Sequence, residues 1–587
     1  MATIRLGLAQ LNLRVGDLEG NARKVLDAMA EGAAQGCDLV CVPELALVGY
    51  PPEDLLLKDG FLADAQTVLD RVVAESPGCL GVVGTVLDAS LGLVELAGAR
   101  DGRDVAGARV PGRRLANAAV LVGAGRLHGA VAKRQLPNYS VFDEQRWFEA
   151  GTGPVETVAV AGVSVGVLVC EDIWVDGGPA VELAEAGAGL LVVLNASPYS
   201  RRRHEERRAV LSRRVAETGC AIAYVNLVGG QDELVFDGAS CVIDATGHVI
   251  AAAAQFREEL LVVDLAVDGE VEGARGLTGV GEVRHDLGTP RHPDVPEPLE
   301  EVAEVYEALV TGTRDYLVKN GFSTAVIGLS GGIDSSLVAA VAVDALGPDA
   351  VLGISLPSRF SSPHSKSDAA ELAERLGMRL VTSPIEPAHT ALSSMLAEVL
   401  GEPPSGLTDE NLQSRIRAVM WMAVSNATGA IVLATGNKSE LATGYFTLFG
   451  DSAGGFAVIK DVVKTLVYDL CRYRNERAVA LGEVPPIPES VLDKAPSAEL
   501  RADQRDDDSL PPYELLDPIL EAYVEEDRTV AELVADGHDR ALVERVARLV
   551  DTAEYKRRQI PPGVRITAKA FGKDRRLPIT NSYGAPR

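Results

Sequence analysis

Aromatic residues make up only 5% of the 587-residue chain, and its eight histidines are dispersed along it, so no His-rich metal site is visible. Cysteine is also sparse. The seven residues, at 37, 41, 79, 170, 220, 241 and 471, are odd in number and form no Cys-x-x-Cys. That argues against a disulfide framework or a zinc ribbon and for a reducing compartment. Positive charge is in deficit, with 56 Lys and Arg against 84 Asp and Glu and a net charge of −28. A general nucleic-acid binder needs a clustered basic face, which this balance disfavours. A small anionic substrate stays open, because a few local cations or a helix N-terminus can hold phosphates. No apolar run approaches the roughly 18–20 residues that span a bilayer. The first residues, MATIRLGLAQ, enter a strand-like run with no signal-peptide pattern. These absences lead to the expectation of a soluble, cytoplasmic protein.

The composition is that of a globular chain, 47% hydrophobic and 24% charged, and its length exceeds what one hydrophobic core organises. From 1 to about 268, short apolar runs alternate with helical stretches: IRLGLAQ (4–10), LVCVPE (39–44), GVVGTV (81–86), VSVGVLVC (163–170), LLVVLN (190–195) and AIAYVNL (221–227). Several are apolar at consecutive positions, the pattern of strands covered on both faces. Residues 269–300 are Gly/Pro-rich and charged, and read as a linker or arm. After 300 comes a helix (301–319), then strands at 323–330, 351–357, 379–384 and 430–436 separated by helices, including a long one at 411–428. That order predicts a doubly wound parallel sheet. The remainder reads as poor in helix until 517–558.

Residues 328–336, GLSGGIDSS, sit between an apolar strand and a helix. A Gly turn capped by Asp and Ser would explain the glycines alone. The full strand–loop–helix context points instead to a phosphate cradle, with backbone N–H groups and the helix dipole aimed at the ligand. Asp334 could hold the magnesium that balances the phosphate charge. The GKS/T ending of a Walker loop is absent.

This loop resembles the SGGxDS motif of the ATP pyrophosphatases, which split ATP between its α- and β-phosphates to activate a carboxylate or carbonyl. Within 409–470, DENLQSRIRAVMW and ATGNKSELATGYFTLFGD resemble NAD synthetases, as does EYKRRQIPPG (554–563). The resemblance implies a doubly wound, adenine nucleotide α-hydrolase-like domain. ATP phosphates would lie on Gly328, Leu329, Ser330, Gly331, Gly332, Ile333, Asp334 and Ser335, with Thr435, Lys464 and Ser497 completing the site. Asn411, Arg415, Glu440 and Lys556 would hold deamido-NAD, and Asp334 and Glu440 would be ligands of Mg2+. Leu448 and Gly455 depart from the Lys and Asp of stand-alone synthetases. Segment 493–517 resembles the family's mobile loop, which would exclude water from a reactive acyl-adenylate.

A lone cysteine ending an apolar strand is most often inert core, which is the plain reading of Cys170. With Glu44 and Lys133 at the ends of two other strand-like runs, the set resembles the triad of the nitrilase (carbon–nitrogen hydrolase) superfamily, an α-β-β-α sandwich. Glu44 would be the general base and Lys133 the oxyanion stabiliser, with the backbone N–H of Glu171 as a second donor and Glu144 as the second glutamate. LPNY (136–139) and NASPYSRRRHEERR (195–208) resemble the glutaminase part of the glutamine-dependent NAD synthetases. Tyr139, Ser197 and Arg203 would then bind glutamine, with Arg203 in place of an expected Lys. The implied organisation is a glutaminase domain at 1–268, a joint at 269–300 and a NAD synthetase domain at 301–587. It further implies a homo-oligomer, at least a dimer; ammonia transfer through an interior tunnel is expected, and the acidic balance and the lack of a long apolar run argue against a nucleic-acid or membrane partner. Two other readings stand beside it: a nitrilase-type half hydrolysing another amide or nitrile, and a nucleotide-sensing binding protein with an inactive glutaminase.

Overall fold

Alternate residues of the N-terminal strands point into one shared interior. Ile4, Leu6 and Leu8 of strand Ala2–Gln10 join Val163, Val165, Val167 and Val169 of strand Val163–Val169 and Leu190, Val192 and Leu194 of strand Leu190–Asn195 in a single buried cluster. The strands belong to two different six-stranded sheets, so the cluster is the filling of a sheet-on-sheet sandwich. One sheet runs in the order Glu259–Val267, Ala2–Gln10, Leu39–Cys41, Leu80–Asp88, Leu115–Gly123, Arg126–Ala132; the other in the order Val249–Ala252, Cys241–Ile243, Ala221–Asn226, Leu190–Asn195, Val163–Val169, Val158–Val160. Intervening residues face outward onto helices. Leu168, Leu191, Val193 and Ile222 pack with Leu183, Leu211 and Val215 of helices Pro179–Glu185 and Arg203–Thr218. On the other sheet, helix Leu18–Ala34 buries Val25 and Met29, and Met29 fills the space above Gly81. The layers are therefore α-β-β-α, and two covered faces explain why these strands are apolar at consecutive positions.

The described residues are 2–94, 114–268, 274–277, 289–502 and 504–581 of a computed structural model. They divide into two units, Met1–Gln231 with Val235–Leu299, and Asp232–Leu234 with Glu300–Arg587. Of the expected linker, 269–273 and 278–288 lie outside the described residues; Arg275 exchanges backbone hydrogen bonds with Thr157 and Ala159 at the edge strand Val158–Val160. The hairpin Leu115–Gly123/Arg126–Ala132 is absent from the sequence reading. Its first strand, LANAAVLVG, is wholly buried yet interrupted by Asn117.

In the second unit a five-stranded, all-parallel sheet has the order Arg379–Thr382, Val351–Ser355, Ala325–Gly328, Ile431–Ala434, Phe456–Ala457. The chain starts in the middle, winds to one edge and returns to the other. This leaves a topological switch point beside Ala325–Gly328, where the carboxyl ends of the strands open a crevice. Helix Ile333–Leu346 leaves that crevice and is buried on nearly every side, lying against helices Glu301–Lys319 and Lys464–Ala480. The latter helix corrects the expectation of a helix-poor segment after 436. Its buried Leu466, Val467, Leu470 and Cys471 recur at helical spacing among three arginines. Among the described residues, no helix is long and apolar enough to cross a membrane.

Candidate active sites

In the first unit, strand Val163–Val169 ends at Cys170, whose φ of 47° puts a non-glycine residue in the left-handed region. Such strain persists only where the surroundings over-determine it. Asp172 is one of the constraints: its carboxylate accepts from the amides of Val169 (3.2 Å), Arg134 (3.0 Å) and Gln135 (2.8 Å). The Cys170 turn is thereby pinned to the chain that follows Lys133. Burial pushes Asp172 up to about 6 while the backbone amides oppose the shift.

Lys133 donates to Glu44 Oε1 at 2.7 Å and to Glu144 Oε1 at 2.8 Å, and all three side chains are buried. Asn117 Nδ2 donates to Glu44 Oε1 (2.7 Å), the Ala196 amide to Glu44 Oε2 (3.1 Å), and Tyr50 OH to Glu144 Oε1 (3.2 Å). Burial would lower the pKa of the Lys133 ammonium, but Glu144 and Glu44 overcome it and hold Lys133 protonated. Burial pushes Glu144 up to about 7 against the pull of Lys133. The Cys170 thiol is pushed well up by burial, further by Glu44, and opposed by Lys133. At rest this is a neutral thiol beside a carboxylate–ammonium pair, so the thiol proton must leave as the sulfur attacks.

At the mouth, half-exposed Tyr139 donates through its hydroxyl to both oxygens of Glu171 at 3.1 Å. The Arg203 guanidinium lies over the Trp174 ring, 4.2 Å from its centroid, and bonds Glu206. Ser197 is buried and its Oγ has no hydrogen-bond partner. Sequence reasoning missed Asn117, Asp172 and the Glu171 side chain. A polar residue inside an otherwise apolar strand was the available signal for Asn117.

In the second unit, a cavity of about 390 Å3 opens at the switch point. Of the expected ATP contacts, Gly328, Leu329, Ser330, Gly332, Ile333, Asp334, Ser335, Thr435, Lys464 and Ser497 line it, and Gly331 does not. Gly331 serves by shape: its φ is +77°, and a Cβ there would stand 2.1 Å from the Ser365 carbonyl oxygen. At Gly328 a Cβ would meet the Trp421 ring at 2.3 Å. Ser335 Oγ donates to the Gly332 carbonyl (2.9 Å) and lies 3.1 Å from Ser330 Oγ, which holds the loop in shape.

Asp334 accepts from Asn437 Nδ2 at 2.9 Å and forms an ion pair with Lys464, whose ammonium is also 3.7 Å from Glu440. Burial and the neighbouring Asp334 drive Glu440 well above its ordinary range, with Lys464 opposing. Asp334 and Glu440 share one ammonium, and a bound divalent cation would let Glu440 ionise beside Asp334. Carboxylate oxygens are what Mg2+ takes, one or two at a time alongside substrate phosphates, and Asp334 and Glu440 fit that use. Among the described residues no cluster of three or more His, Cys, Asp or Glu could hold a metal alone, so phosphate oxygens would supply the remaining ligands.

Of the expected deamido-NAD contacts, Asn411, Glu440 and Lys556 line the cavity. Lys556 Nζ donates to the carbonyls of Gly444 (2.8 Å) and Phe446 (3.0 Å). Arg415 does not line it; the side chain is exposed and donates to the Leu448 carbonyl at 3.2 Å. Arg417, two residues on, does line it, with burial pulling its pKa down to about 10. At Gly455 a Cβ would stand 2.6 Å from Ile431, so this chain has no room there for the Asp of stand-alone synthetases.

Comparison with known proteins matches residues 5–272 to the carbon–nitrogen hydrolase family and residues 305–560 to the NAD synthase family. The chain is 44% identical over 583 residues to the glutamine-dependent NAD(+) synthetase of Xanthomonas campestris pv. campestris, covering 99% of this chain and 98% of that one. It is 42% identical over 605 residues to that of Thermotoga maritima, covering 100% of both. A solved glutamine-dependent NAD+ synthetase from Acinetobacter baumannii, in complex with ADP, superposes with a TM-score of 0.73 at 37% identity, covering 99% of each chain.

Proposed function

Because the chain belongs to the family of glutamine-dependent NAD(+) synthetases, we propose that it hydrolyses glutamine in its first unit and uses the nitrogen, with ATP, to amidate deamido-NAD in its second. The observation that carries this reading is the convergence of Glu44, Lys133 and Cys170, from three strand ends far apart in sequence, on one buried charge pair beside a thiol. We assign the glutaminase to residues 1–268, the synthetase to 301–587 and the joint to 269–300.

Glutamine enters with its α-carboxylate toward Arg203 and Ser197 and its α-ammonium toward Glu171 and Tyr139. Cys170 Sγ attacks the side-chain amide carbon while Glu44 takes the thiol proton. Lys133 Nζ and the Glu171 N–H stabilise the oxyanion. The C–N bond breaks, ammonia leaves with the proton returned by Glu44, and Glu44 then activates the water that cleaves the thioester to glutamate. In the second unit a carboxylate oxygen of deamido-NAD attacks the α-phosphorus of ATP, and pyrophosphate leaves. Ammonia then attacks the acyl carbon, releasing AMP and giving NAD. The cradle and Lys464 hold the phosphates, and Asn411, Arg417 and Lys556 face the dinucleotide. Asp334 and Glu440 would hold Mg2+, which neutralises phosphate charge when bound. Adenine-nucleotide binding is supported by the ADP complex of the A. baumannii relative.

We further propose a homo-oligomer, at least a dimer built on the second unit, and ammonia delivery without release to solvent. Cys170→Ala is the test of the central reading. Glutamine-dependent NAD formation should fall at least about 1,000-fold, the scale on which a lost nucleophile acts, while ammonium-dependent formation persists. Loss of neither activity would overturn the role of Cys170. If glutamine hydrolysis runs at the same rate with and without ATP and deamido-NAD, the two units are uncoupled.

A further inference from the structure

The segment from Lys494 to Leu500 lines the nucleotide cavity along its whole length and is tied to both walls of the crevice. On one side, Glu499 Oε1 accepts from Ser365 Oγ and Lys494 Nζ, each at 2.8 Å, and Oε2 accepts from the Ser362 amide at 3.2 Å. Lys494 also bonds Ser365 Oγ. Ser362 is the N-cap of helix Pro363–Leu376, whose amino end favours a negative charge. On the other side, the Leu500 carbonyl accepts from Gln413 Nε2 at 3.0 Å, on helix Leu407–Thr428. The first helix follows strand Val351–Ser355 and the second precedes strand Ile431–Ala434, which flank the strand that ends in the cradle. The segment is thus a strap across the cavity mouth.

Glu499 is the knot of that strap. Its φ of 49° is strained for a residue with a side chain, and its three side-chain bonds offset the strain. Burial would raise its pKa, but Lys494 and Ser365 outweigh burial and keep the group below its ordinary range, ionised at neutral pH.

We propose that Glu499 is a positioning residue that fastens the strap over the acyl-adenylate and keeps water from it. This rests on the synthetase reading above. With the strap open, a water oxygen attacks the acyl carbon and the acyl–oxygen bond to AMP breaks. The carboxylate of deamido-NAD is regenerated and water's protons pass to solvent. The net reaction is ATP plus water to AMP plus pyrophosphate, with no NAD made.

The test uses the full-length enzyme with magnesium ATP, deamido-NAD and ammonium chloride, measuring AMP and NAD together. The unaltered enzyme should release one AMP per NAD; if it makes no NAD, the synthetase reading fails, whatever Glu499 does. Glu499→Gln keeps the size but removes the charge that Lys494 and the helix end hold, and should raise AMP per NAD roughly threefold or more. Lys494→Met should move the ratio in the same direction from the other side of the ion pair. Without ammonium, both variants should convert ATP to AMP faster than the unaltered enzyme. A ratio that stays at one in both variants overturns the proposal, including where both products fall together, because lost folding or weakened ATP binding lowers AMP and NAD alike.

Discussion

Glu144 shows how much a single buried proton is worth. Its carboxyl sits at about 7, raised by burial and by Glu44 against the pull of Lys133, whereas the unfolded chain releases that proton near 4.5. Between those values the folded protein binds a proton that the unfolded chain does not, so the stabilisation is complete below about 4.5 and is lost as pH rises through about 7. The amount is on the order of 3 kcal/mol. Glu144→Gln cannot titrate, so the thermal stability of the unaltered protein minus that of the variant should fall steadily from pH 5 to pH 8. A difference that stays flat across that window would mean Glu144 is not protonated in the folded state. The same cluster marks the limit of reading residues from sequence. Glu44, Lys133 and Cys170 were legible as a set only through the nitrilase resemblance, since each alone reads as an ordinary core or surface residue at a strand end. Asn117 and Asp172 were not, since they act by holding a carboxylate and a turn in place and leave no motif.

At the scale of elements, continuous apolar runs gave most of the strands that are covered on both faces, and helical spacing gave most helices. The departures share a cause. Lys464–Ala480 hides a four-residue apolar stripe among arginines, and Leu115–Gly123 breaks its apolar run with the asparagine that serves the site. Arg415 and Arg417 show a finer limit. Two residues apart on a helix point about 200° apart, so only one of them faces the cavity, and a motif match cannot say which. The cradle is where element and chemistry are inseparable. Gly331→Ala would force a Cβ to within 2.1 Å of the Ser365 carbonyl oxygen on a backbone already at φ +77°. The loop must move, at a cost of roughly 1–3 kcal/mol, which corresponds to about a 5- to 150-fold rise in KM for ATP if it falls on the bound state. Glutamine hydrolysis without synthetase substrates should be unchanged. A normal KM for ATP in this variant would show that the tight turn is not what shapes the phosphate site.

Taken whole, the second unit has an apolar surface that stays exposed among the described residues. Leu392, Met395 and Val399 form a stripe on helix Glu386–Leu400, with Val399 81% exposed. On helix Leu407–Thr428, Val419 is 67% exposed and Met422 40%. Adjacent exposed apolar stripes on two helices are the kind of surface on which the dimer proposed above would pair. Arg415 lies one turn before Val419 on the same side of its helix, so the residue that misses the cavity sits on the face a partner would cover. If the proposed dimer pairs on this face, Arg415 would join the deamido-NAD site only in the dimer, where a covered face loses its water and a guanidinium holds a diphosphate more strongly. Val419→Glu would put a charge into that interface, and one buried unpaired charge is enough to dissociate a modest dimer. The variant should run as a monomer by light scattering, with KM for deamido-NAD raised roughly tenfold or more, the worth of one lost charge-assisted contact, and with glutamine hydrolysis in the absence of the other substrates intact. If it remains a dimer, or becomes a monomer with unchanged KM for deamido-NAD, the face is not the interface or Arg415 takes no part in the site.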